Sequence, residues 1–400
     1  MNQLFVEGIP VLKKIENHGF EAVFVGGSIR DYLLNKPLHD IDIATSAPPE
    51  VVQNIFEKTI PIGIEHGTVL VLYEEKSYEV TTYRVESDYR DYRHPDKVEF
   101  VSSLQLDLSR RDFTINAMAM NKSGEIIDPF QGQVHLQKRI LKTVNEAEER
   151  FTEDPLRMMR ALRFVSQLDF NLDEEALKAI RTHRFLLEKI AVERLAIETE
   201  KLWRGPALQK ALSLLQETGV DGHLPIFKEN TRLIDLARKY AKSAFHSLEE
   251  IVAFFHLLKE DISIEQWCKS WKLSKAVEKA SKRLVSSFSY YKEKGIDAYC
   301  LYELDPSRIA SFVHLTSLLT KSIVHEDDVR KRYEGLPIKS TKDLEIDGYD
   351  IVQAFPDIRP GPWITELLQE VERKVLFQQL PNNKEQIMEW VKKWNPQEKS

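Results

Sequence analysis

The sequence predicts an α+β fold in which a mixed-sheet head with helices is followed by an all-α remainder. Two observations carry this prediction. Short β-rich runs separated by turns occupy residues 1–140, whereas after Leu136 apolar residues recur at three- and four-residue spacing with few β-branched runs. The chain has 400 residues, 42% of them hydrophobic, so it can bury cores in several domains.

The head is predicted to alternate strands with helices. Runs rich in β-branched and aromatic residues predict strands at residues 21–26, 40–44, 67–73, 78–83 and 118–121. Helical spacing predicts helices at residues 4–17, 29–34 and 49–56. Residues 84–100 are charged, rich in tyrosine and poor in aliphatic residues, which predicts a mobile loop.

The remainder is predicted to be helical throughout. Its first helices are expected at residues 146–168, 173–182, 191–202 and 207–217. Glycine and proline clusters mark joints at residues 204–206, 219–225, 295–297, 335–337 and 359–362. We therefore divide the chain into a head (1–140), a neck (141–205), a body (206–320) and a tail (321–400).

Composition excludes several classes of protein. No apolar run approaches the roughly 18 residues that span a bilayer, and the N-terminus lacks the basic start and apolar stretch of a signal peptide, so we expect a cytoplasmic protein. Cys268 and Cys300 are too few for a disulfide framework and lack zinc-ligand spacing. The net charge of −7 argues against polyanion binding by the whole surface.

A local basic track is nevertheless present in the helical part. Between Trp267 and Arg283 the only acid is Glu278. The basic residues are Lys269, Lys272, Lys275, Lys279, Lys282 and Arg283. Their helical spacing indicates one basic face, which would either contact RNA or simply be solvated.

Two aspartates at a predicted strand form the first candidate site. Asp40 and Asp42 flank Ile41, and strand alternation places both carboxylates on one face. Just upstream, Gly26 and Gly27 form a turn whose bare amides can approach an anion. Paired carboxylates suit a hard cation, and Mg²⁺ is usually held by one or two carboxylates plus substrate phosphates. Although each feature alone is common, their combination predicts a site for Mg²⁺ and a nucleotide.

The second candidate cluster is Ser-Arg-Arg-Asp-Phe-Thr-Ile-Asn-Ala-Met-Ala at residues 109–119. Ser109 is the expected N-cap of an apolar helix. Arg111 suits a triphosphate because a guanidinium pairs bidentately with phosphate oxygens. Asp112 and Asn116, one helical turn apart, would hydrogen-bond a ribose. Taken alone, the pattern also fits a capped helix with a surface Arg–Asp pair.

The third cluster, at residues 153–164, combines acids with arginines at three-residue spacing. Asp154 and Arg157 are close enough to act together as a hydrogen-bond acceptor and donor. Cytosine and adenine both present an exocyclic amine next to an unprotonated ring nitrogen, whereas uracil and guanine present a carbonyl next to an N–H. The pair would therefore accept C and A, leaving Arg160 and Arg163 for phosphates. A salt-bridged helix is the alternative.

In this order, the three clusters resemble the class II bacterial tRNA nucleotidyltransferases, which build the 3′-terminal CCA of tRNA and belong to the polymerase-β-like superfamily. The similarity covers at least residues 20–165 and extends more weakly to residues 347–350 and 360–368. The resemblance implies a catalytic head, a nucleotide-selecting neck, and a body and tail that grip tRNA. It also implies that the segment at 84–100 is the family's flexible loop at full length, which favours a complete CCA-adding enzyme.

The resemblance also assigns roles to individual residues. It implies that Mg²⁺ is bound by Asp40 and Asp42, that triphosphate or ribose is contacted by Gly27, Arg30, Arg111 and Asp112, and that the base is read by Asp154 and Arg157, with Glu153, Arg160 and Arg163 in support. Glu79 is either a third carboxylate of the site or a solvent-facing strand residue. The implied reaction is attack of the tRNA 3′-hydroxyl on the α-phosphate of CTP or ATP, releasing pyrophosphate.

The implied partners are tRNA lacking all or part of its CCA end, CTP and ATP, and no membrane; homodimerisation stays open. Three alternative functions remain at this point: an A-adding tRNA nucleotidyltransferase, a poly(A) polymerase with the same head chemistry, and a non-catalytic RNA-binding protein.

Overall fold

A computed structural model describes residues 1–89, 95–320 and 322–394 of the chain. The chain forms two compact units, Met1–Arg238 and Lys239–Ser400. The first unit contains every residue of the three candidate clusters, and the second is helical in its described part. The predicted α+β head with a helical remainder is confirmed. The division into head, neck, body and tail stays a prediction.

The first unit begins with the predicted alternation of helices and strands. Its strands are β1 (Ala22–Val25), β2 (Asp42–Thr45), β3 (Thr59–Gly63), β4 (Thr68–Tyr73), β5 (Lys76–Thr82), β6 (Arg84–Tyr89), β7 (Pro95–Phe100), β8 (Ala119–Met120), β9 (Ile126–Ile127), β10 (Ile140–Leu141) and β11 (Asn171–Leu172). Its helices are α1 (Gln3–Glu16), α2 (Gly27–Leu33), α3 (Pro49–Ile55), α4 (Leu104–Ser109), α5 (Gly132–Lys138), α6 (Ala147–Glu153), α7 (Leu156–Leu168), α8 (Glu174–His183), α9 (Val192–Trp203), α10 (Leu208–Thr218) and α11 (Leu233–Tyr240).

The main sheet has seven strands in the order β3-β4-β5-β2-β1-β8-β9. β2 and β5 are parallel, and the other neighbouring pairs are antiparallel. Ile43, Val69 and Val80 are fully buried on the face that packs toward α1 and α3. On the opposite face, Val25 and Ala44 lie in a second apolar cluster that includes Leu104, Leu108 and Ala117. The sheet is therefore a rigid support whose second face is covered over β1 and β8.

Three sequence predictions in this unit are wrong in detail. The helix predicted at 146–168 is two helices, because Pro155 disfavours helical backbone at Asp154, which is extended (φ −133°, ψ 97°). The helix predicted to start at Ser109 is absent, because Ser109 ends α4 and donates from Oγ to the Leu106 carbonyl. The segment predicted as a mobile loop contains β6 and β7, which pair antiparallel; residues 90–94 lie outside the described residues.

The cluster after Ser109 is short and irregular for a local reason. The Asp112 carboxylate accepts a hydrogen bond from the neighbouring Phe113 amide, which competes with helix formation. Phe113 is extended and bridges Thr143, a single 3₁₀ turn follows at Thr114–Asn116, and the chain then enters the sheet as β8. Buried Phe113, Ile115 and Ala117 are thus core residues around a turn, not one face of a helix.

The second unit is built from helices in its described part. They are α12 (Leu248–Leu258), α13 (Ile264–Ser270), α14 (Lys275–Lys294), α15 (Ala298–Glu303), α16 (Ile309–Leu319), α17 (Glu326–Glu334), α18 (Gly348–Ala354), α19 (Trp363–Leu376) and α20 (Lys384–Val391). Cys268 and Cys300 are both buried and unpaired, and burial raises the pKa of each thiol. Within the described part of the chain, no helix has the length and apolar character needed to cross a membrane.

Most residues of the predicted basic track lie on α13 and α14. Lys275 pairs with Glu278, and Lys282 pairs with both Glu278 and Glu265. Part of the positive charge is therefore balanced locally. RNA contact by this face stays a prediction.

Candidate active site

A glycine turn brings the two aspartates close to an arginine of the second cluster. Gly26 follows β1 with φ +81° and ψ −145°, a conformation that side-chain-bearing residues rarely adopt. A Cβ there would lie 3.2 Å from Nη1 of Arg111 and 3.3 Å from Oδ2 of Asp42. A side chain at Gly26 would therefore force these two candidate site residues to shift by a few tenths of an ångström.

Asp40 and Asp42 lie as strand alternation requires, although β2 begins only at Asp42. Ile41 is buried, and both aspartates are exposed. Asp42 is in register with Glu79 on the adjacent strand β5, which places the two side chains on the same face. Glu79 therefore lies beside the pair, on the face where the alternative prediction of a third carboxylate requires it to be.

The carboxylates of Asp40, Asp42 and Glu79 repel one another in the absence of a cation. Although Asp42 is exposed as a whole residue, the surrounding protein partly desolvates its carboxyl. This desolvation, together with repulsion from Glu79 and Asp40, raises the pKa of Asp42 to about 6, and Arg111 acts in the opposite direction. Oxygen-only donors with excess negative charge suit a hard divalent cation. The donor chemistry thus fits a metal site at Asp40 and Asp42, although in this structure the carboxylates of Asp40, Asp42 and Glu79 do not all converge on one point.

Asp112, unlike Asp42, is buried, and several protein groups donate hydrogen bonds to its carboxylate. Its Oδ2 accepts from Nε and Nη2 of Arg160, at 2.7 and 2.5 Å. Its Oδ1 accepts from the Phe113 amide at 2.8 Å and from Nδ2 of Asn116 at 3.0 Å. Burial raises the pKa of Asp112, but the charge of Arg160 and these hydrogen bonds outweigh it and hold the pKa well below the usual range. Asp112 is therefore an anion at all physiological pH values.

Asn116 links this acid to α2. Arg30 donates from Nη1 to Oδ1 of Asn116 at 2.7 Å and also forms a two-point pair with Asp31. Arg111 is held differently, since its Nη2 lies 3.4 Å from Oδ2 of buried Asp107. Asp107, which also pairs with Arg110, was not singled out from the sequence, although its i,i+3 and i,i+4 spacing to the two arginines would have indicated it.

The proposed base-reading pair lies at the junction of α6 and α7. Asp154 occupies the extended residue between the two helices, and Arg157 is in the first turn of α7. Arg157 donates from Nη1 to Oε2 of Glu153 at 2.7 Å and from Nη2 to the Arg110 carbonyl at 3.1 Å. Arg194 of α9 donates from Nη2 to Oδ2 of Asp154 at 3.0 Å. Each member of the pair is thus held by its own partner.

A polar pocket of about 350 Å³ unites most of these side chains; we call it the arginine pocket. It is lined by Gly27, Arg30, Arg110, Arg111, Asp112, Asn116, Asp154, Leu156, Arg157, Arg160, Phe164 and Arg194. Six arginines against two aspartates make it strongly cationic, as a polyphosphate requires. Phe164 adds an aromatic ring whose centroid is 5.2 Å from Cζ of Arg30.

The pocket contains seven of the predicted nucleotide-site residues and lacks two. Glu153 is not in its lining and acts on it through Arg157. Arg163 is also outside: its Nε lies 2.6 Å from Oε2 of Glu198, and its guanidinium stacks 3.8 Å from the Phe164 ring centroid. The structure therefore gives Arg163 a packing role at Phe164. Sequence reasoning missed Arg194, because no local pattern links it to Asp154.

Comparisons with known proteins agree along the whole chain. Residues 22–142 match the poly A polymerase head domain, residues 169–230 match a probable RNA and SrmB-binding site of polymerase A, and residues 244–391 match a putative tRNA nucleotidyltransferase domain 2. A CCA-adding enzyme of Oceanobacillus iheyensis is 43% identical over 391 residues, covering 98% of each chain. One of Anoxybacillus flavithermus is 44% identical, again with 98% of each chain covered.

A solved structure extends the similarity to three dimensions. The CCA-adding enzyme of Bacillus stearothermophilus, solved in complex with CTP, superposes with a TM-score of 0.86 at 37% identity, covering 98% of each chain. The similarity thus includes both units of the fold and not only the head.

Proposed function

The chain belongs to the CCA-adding enzymes, a family of tRNA nucleotidyltransferases, and we propose that Asp42 and the arginine pocket together form its active centre. Members of the family add the 3′-terminal CCA to tRNA from CTP and ATP without a nucleic-acid template. The full-length similarity to CCA-adding enzymes decides against all three alternatives, which were an A-adding tRNA nucleotidyltransferase, a poly(A) polymerase and a non-catalytic RNA-binding protein. The observation that carries the residue assignment is that the cationic pocket adjoins Asp42 through Arg111.

We assign metal binding to Asp40 and Asp42, with Glu79 beside them. Nucleotidyltransferases depend on divalent metal, and we propose Mg²⁺ because carboxylates plus substrate phosphate oxygens are its usual ligands. Such an ion, when bound, lowers the pKa of the attacking hydroxyl and neutralises charge on the phosphates. The pKa of Asp42 is raised first by desolvation and second by repulsion from Glu79 and Asp40, and this repulsion supports the assignment because a bound cation would relieve it.

We assign the triphosphate and ribose to the Gly27, Arg30, Arg111 and Asp112 part of the pocket. Arg30, from α2, and Arg111, from the second candidate cluster, both line the pocket, and their guanidinium groups can pair with phosphate oxygens. Asp112 and Asn116 already hydrogen-bond each other, so a ribose hydroxyl would join an existing network. Arg160 neutralises Asp112 and keeps that network from repelling the phosphates.

We assign base selection to Asp154 and Arg157. The carboxylate of Asp154 would accept from the exocyclic amine of C or A, and the guanidinium of Arg157 would donate to the neighbouring ring nitrogen. Arg194 and Glu153 hold these two groups before the nucleotide arrives, so little ordering is needed on binding. U and G present a carbonyl next to an N–H. Because a carboxylate only accepts and a guanidinium only donates, neither group could hydrogen-bond these bases, and U and G would be rejected.

A direct assay tests these assignments. Purified protein would be given tRNAs ending before the first C, before the second C and before A, each with a single nucleoside triphosphate and Mg²⁺. We expect C, C and A to be added in turn, and we expect no addition by Asp42→Ala. Unchanged incorporation by that variant would overturn the metal assignment, and long A tracts on an unrelated oligonucleotide would contradict tRNA specificity.

Two further proposals concern the protein in its cell. We propose that the protein acts in the cytoplasm, where its proposed substrates tRNA, CTP and ATP are found. We also propose a homodimer, which sedimentation at several protein concentrations would test; a monomer throughout would overturn it.

A further inference from the structure

An apolar strip continues the metal-site face of the sheet away from the arginine pocket. Neighbouring strands place Asp42, Glu79, Leu70 and Ile60 in one row across β2, β5, β4 and β3. Partners in register point to the same side of a sheet, so all four side chains share the face that carries Asp42. Leu72, two positions after Leu70 on β4, shares it as well.

This part of the face is open to solvent. Ile60 is 45% exposed, Leu72 is 38% exposed and Leu70 is half-buried. The alternate residues Val69 and Val71 are fully buried on the other face. Over β1, by contrast, the Asp42 face is covered by the cluster around Leu104 and Leu108. We call the three exposed or half-buried residues Ile60, Leu70 and Leu72 the apolar strip.

The strip and the arginine pocket lie on opposite sides of Asp42. The pocket is reached through Gly26 and Gly27, which follow β1, whereas the strip lies beyond β5. In phosphoryl transfer the attacking and leaving oxygens are roughly in line, so the attacking nucleotide needs room that the incoming nucleotide does not occupy. The open face beyond Glu79 provides it.

We propose that the apolar strip carries the base of the last tRNA nucleotide, so that its 3′-hydroxyl lies at Asp40 and Asp42. This inference rests on the proposed function. Adjacent strands are about 4.8 Å apart, which places Leu70 about 10 Å from Asp42, within reach of one nucleotide whose 3′ oxygen is at the metal site. Every base has an apolar face, and aliphatic side chains gain free energy by covering apolar surface, so the same strip accepts a growing end whose last base changes.

The test removes the apolar contact by substitution of Leu70 and, separately, removes the terminal base of the tRNA. Leu70→Thr keeps a good strand former while deleting most of the apolar contact. Its substrates are two tRNAs that await A, one with a normal terminal C and one with an abasic terminal ribonucleotide that keeps the 3′-hydroxyl. For the normal primer we expect Leu70→Thr to lower kcat/KM about tenfold, the scale of losing the burial of about two methyl-sized groups, with KM for ATP unchanged.

The decisive measurement is whether the effects of Leu70→Thr and of the missing base on kcat/KM are additive. Loss of the base should reduce kcat/KM in the wild type about tenfold and have little further effect in Leu70→Thr, because the contact is already gone. An equal further loss in the variant would overturn the proposal. Val6→Thr, at a 50% exposed position of α1, serves as the control and should behave as the wild type.

Three further outcomes are informative. If Leu70→Thr fails to fold, Leu72→Thr at its more exposed position makes the same test. Conversion of a dimer to a monomer by Leu72→Thr, with primer kinetics unchanged, would assign the strip to a subunit interface and overturn the proposal. Absence of nucleotide addition by the wild type would instead contradict the proposed function, so the two failures are distinguishable.

Discussion

Arg194 of α9 donates a hydrogen bond from Nη2 to Oδ2 of Asp154, at 3.0 Å. It joins the carboxylate proposed to read the base to a helix 40 residues further along the chain. Asp154 also accepts from the Leu156 amide through Oδ1, so both oxygens are oriented. Base selection is therefore expected to depend on Arg194 even though the sequence alone does not link it to Asp154.

Arg194→Ala tests this dependence. Asp154 would lose its charged partner and rotate more freely, and small misplacements of a positioning group cost about 10- to 100-fold in rate. We expect kcat/KM for CTP to fall by that amount and the preference for CTP over UTP to narrow. Arg204→Ala is the control, since Arg204 pairs with Glu200 just beyond the same helix and lies at the surface. Equal effects of the two substitutions would contradict the prediction.

Gly26→Ala separates backbone strain from contact with the site. Gly19 and Gly26 both have positive φ, +86° and +81°, but only Gly26 has site atoms in the way of a Cβ. We expect each alanine variant to lose about 1–2 kcal/mol of unfolding free energy from strain. Gly26→Ala alone should also lose nucleotide addition, because Arg111 and Asp42 must move. An inactive Gly19→Ala, or a fully active Gly26→Ala, would refute this.

Asp42→Asn is expected to lose nucleotide addition and to gain stability against unfolding. Because folding raises the pKa of Asp42 from 3.8 to about 6, its ionisation destabilises the fold progressively between those pH values and fully above them. In metal-free buffer at pH 7.5 we therefore expect Asp42→Asn to be more stable by about 1 kcal/mol or less, given solvent screening. Thermal unfolding with and without Mg²⁺ measures this, and stabilisation by Mg²⁺ should be smaller in the variant.

Comparison across pH makes this prediction specific. At pH 4 the stability difference between wild type and Asp42→Asn should be nearly gone, since the wild-type carboxyl is then protonated in the folded state. A difference that is constant from pH 4 to 8 would show that the charge of Asp42 is not its cause.

Asp112→Ala is expected to change stability in the opposite direction to Asp42→Asn, by destabilising the protein at neutral pH. It leaves Arg160, Asn116 and the Phe113 amide without their acceptor, and we expect a loss of about 2–3 kcal/mol. The folded pKa of Asp112 is depressed, so its stabilisation is fully present above 3.8 and is lost as pH falls toward the folded pKa. The loss should therefore shrink in acid.

Chemical denaturation at pH 7 and at pH 3 measures the effect. Glu217→Ala is the matched surface control, because Glu217 and Arg181 form an ion pair with both side chains 47% exposed, and such pairs contribute little. An Asp112→Ala variant no less stable than Glu217→Ala would contradict the network described here.

The sequence alone determined the chemistry that this protein carries. Asp40 and Asp42 alternate around Ile41, Gly26 and Gly27 interrupt a buried strand, and Asp154 precedes Arg157 by three residues. Each of these relationships spans a few residues, so backbone geometry alone relates the side chains. For the same reason the first three helices and the strands β1, β2, β4, β5 and β8 were predicted close to their observed bounds, whereas β3, β6, β7, β9 and β10 were not predicted.

Only the tertiary structure decided how these groups are held. Glu79 comes beside Asp42 because β5 pairs with β2, and Arg194 reaches Asp154 because α9 packs on α7. Arg160 neutralises Asp112, and Arg163 stacks on Phe164 instead of facing the pocket. Such contacts join residues far apart in the chain, and local periodicity does not specify which strands or helices become neighbours. That choice depends on how the whole sheet and its covering helices bury their apolar faces.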